Sequence, residues 1–101
     1  ALPVYKHFAI LPSSQAPGTL GTRADLLTEL ATMNTGPVKE GEDVLWGPGI
    51  RLEMTPGEDP VSQMMLTLVE EEIAMLVIMR LARVCRWQIV DLETGQALEP
   101  E

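Results

Sequence analysis

The sequence is poor in the residues that most active sites require. It contains one cysteine, Cys85, and one histidine, His7. Disulfide frameworks need paired cysteines, and zinc or iron sites need several Cys or His ligands, so no such framework, metal or cofactor is expected. Basic residues are also scarce: Lys and Arg number 7 against 15 Asp and Glu, a formal net charge of -8. Nucleic acids and anionic membranes recruit Lys and Arg, so neither is an expected partner. Aromatic residues make up 4% of the chain, too few for the stacking platform of an RNA-binding sheet. The longest apolar run, Ile73 to Met79, has seven residues, whereas a membrane span needs about 20. Pro3, Lys6 and His7 interrupt what would have to be an apolar signal core. No targeting segment is therefore read, and a cytoplasmic location is expected.

What is present suits one small domain covering residues 1–101. The chain has 101 residues, 46% of them hydrophobic, and a chain of this length buries roughly 65% of its unfolded surface. Val4 to Leu11 is β-branched and aromatic and reads as a strand. The Pro-, Ser- and Gly-rich segment Leu11 to Gly21 reads as a loop. Thr22 then caps a helix, with Asp25 three residues on and Leu26, Leu27, Leu30 and Met33 along one stripe. Asn34, Gly36 and Pro37 stop it. Residues 36–49 read as an acidic, turn-rich connection whose Leu45 and Trp46 must rest against something.

Ile50 to Thr55 and Val61 to Val69 alternate apolar with polar residues and predict an antiparallel hairpin with one buried face. Glu70, Glu71 and Glu72 open a second helix, and Arg80, Arg83 and Arg86 close it, so each end carries the charge that its dipole favours. Trp87 to Leu92 returns to a strand pattern, and Gln96 to Leu98 can add a short strand before an acidic tail at 99–101.

The order strand, helix, strand, strand, helix, strand predicts an α+β fold: a ferredoxin-like βαββαβ sandwich, with a four-stranded antiparallel sheet and two helices on one face. Such a fold hosts unrelated activities, so function must be sought in particular residues. Three surfaces are candidates. On the uncovered sheet face, Tyr5, His7 and Arg51 could hold a small ligand, and Met65 could lie in a seam between two copies. On the second helix, the expected core stripe is Ile73, Leu76, Val77, Leu81 and Val84. Met75, Met79 and Arg83 then form an adaptable contact surface on the far side. Gly21, Thr22 and Arg23 could cradle an anion at the first helix's N-terminus, though they lack the full spacing of a phosphate loop.

No catalytic set emerges. His7 also reads as an ordinary sheet histidine, Cys85 as a packed, inert thiol, and the acidic pairs as solvated turn residues. The sequence thus predicts a non-enzymatic interaction or regulatory module that self-associates as a homodimer, with a protein partner as a further candidate. The alternative is a small-molecule-binding or enzymatic dimeric domain that uses the open sheet face.

Overall fold

The structure, a computed structural model, describes residues 6–14 and 18–98. Its elements are β1 (His7–Leu11), α1 (Arg23–Ala31), β2 (Val44–Gly47), β3 (Ile50–Met54), β4 (Met64–Leu68), α2 (Glu71–Val84), β5 (Gln88–Asp91) and β6 (Ala97–Leu98). The α+β class with two helices and an antiparallel sheet holds. The expected four strands do not: the sheet has six, in the order β2-β3-β4-β1-β5-β6, with every neighbouring pair antiparallel. Both extra strands are edges. β6 is the short C-terminal strand, and β2 lies inside the segment read as a connection. Pro48 and Gly49 make a two-residue turn between β2 and β3, and Gly49 takes φ 71°, the left-handed conformation that favours glycine after proline in a turn.

Helix α1 starts as its sequence predicts. Thr22 is extended, and its side chain accepts a hydrogen bond from the Asp25 N–H at 3.2 Å. That satisfies one of the N–H groups a helix start leaves without a partner. Past its end, Asn34 adopts φ 57° and turns the chain toward β2, where Gly36 and Trp46 exchange two backbone hydrogen bonds.

Alternate sheet residues, among them Phe8, Ile10, Leu45, Leu52, Leu66 and Ile89, join Leu26 and Leu30 of α1 and Ala74, Ile78 and Leu81 of α2 in one buried cluster. Both helices therefore cover the same sheet face. The buried stripe of α2 differs from the expected one. Ala74, Ile78, Leu81 and Ala82 are buried and Val77 partly so, while Ile73, Leu76 and Val84 are exposed. The β2–β3 turn packs against the start of this helix. Val69 and Glu70 both donate backbone N–H bonds to the Gly49 carbonyl, and a Cβ on Gly49 would sit 2.8 Å from the Glu70 carbonyl and 3.0 Å from the Ala74 nitrogen. The helix start thus rests directly on the turn.

Candidate functional site

The sheet face away from the helices is built by strand register. Trp46, Arg51, Thr67 and His7 are successive partners across β2, β3, β4 and β1 and form one row. Val44, Glu53, Met65, Ala9, Val90 and Ala97 form the next row across all six strands. Because side chains alternate along each strand, both rows point away from the helices.

The first row is linked through Thr67. Its hydroxyl is buried beneath its neighbours, shares a 3.1 Å hydrogen bond with His7 Nδ1, and accepts a long one of 3.4 Å from Arg51 Nη2. The Arg51 guanidinium lies 5.8 Å from the Trp46 ring centroid, within cation–π range. Arg51 Nε is 3.0 Å from Glu53 Oε1, close enough for an ion pair but out of line for a hydrogen bond, so this buried N–H has no hydrogen-bond partner among the described residues. Beside the row, Ala9, Glu53, Gln63, Met65 and Leu92 border a shallow depression of about 430 Å³. Trp46, in the segment read as a connection, adds to what the sequence predicted here. The alternation in β3 and β4 located the face, but the cross-strand neighbours depend on register. Tyr5 lies outside the described residues.

The row supplies an aromatic ring, a cation and an imidazole. The Thr67 hydroxyl lies within hydrogen-bond reach of the imidazole, but the residue is 2% exposed, which leaves a substrate little access to it. Cys85 caps α2 on the opposite side of the sheet from His7, packed against the core. Burial pushes its thiol up to about 11, with the Glu29 carboxylate a lesser cause. A thiol so raised is almost wholly protonated near neutral pH and a poor nucleophile.

The expected anion cradle is filled from within the chain. The Arg23 N–H at the start of α1 donates to Asp59 Oδ1 at 3.1 Å. The Arg23 side chain donates to the carbonyls of Glu58 and Thr55, each at 2.7 Å, and pairs with Asp43 at 2.7 Å. Gly21 bridges Val61. An internal carboxylate thus occupies the place predicted for an external anion, and the residues form a clasp between loop, helix and hairpin.

Two further acids follow the same pattern. Glu58 accepts from the Ser62 N–H and hydroxyl at 2.9 and 2.8 Å, which lowers its pKa. Asp91 pairs with Lys6 at 2.9 Å and accepts from the Glu93 N–H at 2.8 Å. Among the described residues, no group of His, Cys, Asp and Glu could hold a metal ion, and no helix is long and apolar enough to cross a membrane.

The outer face of α2 is the second surface. Leu76 is 74% exposed, Met79 59%, Val84 48% and Ile73 43%. Met75 is exposed too, and it borders a groove of about 380 Å³ formed with Lys6, Phe8, Asp91 and Leu98. Glu72 and Arg83 flank the apolar residues and are both exposed. The two predicted methionines and Arg83 therefore do share the outward side. Ile73, Leu76 and Val84 enlarge it, and the sequence hid them because α2 is apolar on two sides. Comparisons of the chain with protein-family models, with curated proteins and with solved structures find no match.

Proposed function

We propose that the protein is a non-enzymatic interaction module that works as a homodimer through the outer face of α2, built on a ferredoxin-like core. The order β3-β4-β1-β5, with α1 following β1 and α2 following β4, supports that core, and β2 and β6 extend it at its edges. The observation that carries the functional reading is α2 itself. A helix apolar on one side packs on a sheet, whereas one apolar on both sides needs a second surface to cover it. Exposed methionines suit such a contact because their flexible thioethers adapt to a neighbour. A reducing compartment such as the cytoplasm suits a chain whose one thiol has no partner within it.

Light scattering from the full chain tests the reading. The expected result is a dimer, reduced to a monomer by Met75→Glu with Met79→Glu. A wild-type monomer at high protein concentration ends it. The Trp46, Arg51, Thr67 and His7 row favours a second reading, a small-molecule site on the open sheet face. A small anion that raises the melting temperature of the wild type but not of Arg51→Ala would favour that reading over the first.

A further inference from the structure

Four exposed residues of α2 form a pattern that is the same in both chain directions: Glu72, Leu76, Met79 and Arg83. They are spaced by four, three and four residues, a helical stripe that at about 100° per residue spans roughly 60° of arc. That arc lies opposite buried Ala74, Ile78 and Leu81. Read backward, the spacing is the same, an apolar residue again falls at both inner positions, and acid and base exchange places at the ends. We infer that this stripe is a self-complementary seam, on which a second copy of the chain packs α2 antiparallel across a two-fold axis passing between Leu76 and Met79. The inference rests on the proposed self-association and adds its geometry.

In that arrangement Leu76 of each chain meets Met79 of the other, and each Glu72 meets the opposite Arg83. Both charges of a pair are needed from different chains. Glu72 and Arg83 stand eleven residues apart on one helix, about 16 Å along its axis, too far to pair internally. Neither makes a salt bridge within the chain among the described residues. A parallel pairing would instead set Glu72 against Glu72 and Arg83 against Arg83, so the charge pattern selects the antiparallel one.

The distribution of charge over the whole molecule favours the same surface. Residues 70–86 carry Glu70, Glu71 and Glu72 against Arg80, Arg83 and Arg86, three of each sign. That leaves twelve of the fifteen acids and four of the seven bases elsewhere, so the entire net charge of -8 lies outside α2 and its ends. Two copies repel each other over most of their surfaces. They meet without net repulsion along α2.

Charge reversal in the full chain, followed by sedimentation from about 10 µM to 1 mM, tests the seam. Glu72→Arg alone and Arg83→Glu alone each turn two attractive contacts into repulsive ones. Each is expected to weaken the dimer on the order of tenfold or more. The double variant restores the wild-type affinity. So does an equimolar mixture of the two single variants, which associates as a heterodimer. Far-UV circular dichroism on each variant confirms that it is folded. Single reversals that leave the affinity unchanged, while Leu76→Glu abolishes the dimer, would overturn the antiparallel register and leave α2 as the interface. A wild-type monomer, or a dimer indifferent to Leu76→Glu, would overturn both.

Discussion

Charged residues in this chain do different work according to the partner that reaches them. Arg23 and Asp59 are spent on holding the loop before α1 against the β3–β4 connection. Thr67 joins a cation and an imidazole on the open sheet face. Asp91 ties the start of β1 to the turn after β5, and its environment gives a definite pH dependence. The Lys6 ammonium and the N–H groups of Glu93 and Thr94 hold its carboxyl below the ordinary value of 3.8, while Asp91 in turn raises Lys6 above 10.5. A lowered acid contributes stability that is present above its ordinary value and lost as pH falls through the lowered one. A raised base contributes stability that is present below its ordinary value and lost as pH rises through the raised one. Asp91→Asn should therefore lower the melting temperature throughout the range between those two ordinary values. The wild-type and variant curves should converge in acid, below the carboxylate range. Melting followed by circular dichroism across pH checks this, and a gap that persists undiminished in strong acid would assign the effect to packing rather than to the ion pair.

At the scale of elements, the β2–β3 turn governs more than a hairpin. Gly49 combines a left-handed backbone with direct contact to the start of α2, so Gly49→Ala meets both backbone strain and overlap with the Glu70 carbonyl. The expected cost is roughly 2–4 kcal/mol, read from urea unfolding. A cost below about 0.5 kcal/mol would mean that the turn does not seat the helix. Local signals were legible in the sequence and long-range contacts were not. The alternation in Ile50–Met54 and Met64–Leu68 assigned each residue to a sheet face, and Thr22 with Asp25 marked the start of α1, because those signals are local. The strand Val44–Gly47 is short and sits beside acidic turn residues, so only the Pro48–Gly49 turn before an alternating strand betrayed it. The phase of α2 was illegible for another reason. Periodicity shows that the helix has apolar residues on both sides, but which side meets the sheet depends on tertiary packing that a local pattern does not carry. The same holds on the open face, where Thr67 gains its two partners only through the register of β1, β3 and β4.

For the molecule as a whole, the net negative charge lies outside α2, whose outer face carries an exposed apolar stripe, and that separation has a thermodynamic consequence. A stripe that stayed exposed would make stability independent of protein concentration. A stripe covered by a second copy links folding to association, because the unfolded chain cannot dimerise. Each tenfold rise in concentration then stabilises the dimer by about 1.4 kcal/mol, or about 0.7 kcal/mol per chain. For a domain of this size that shift is about 3–5 °C in melting temperature. The wild type should show this slope above the dissociation constant, and Leu76→Glu should flatten it without disturbing the secondary structure, since Leu76 is 74% exposed and touches little of its own core. Scanning calorimetry over a hundredfold range of concentration measures both. A flat wild-type response over that range would show that the helix face stays bare, and the charge balance of α2 would then reflect only the dipole of its own helix.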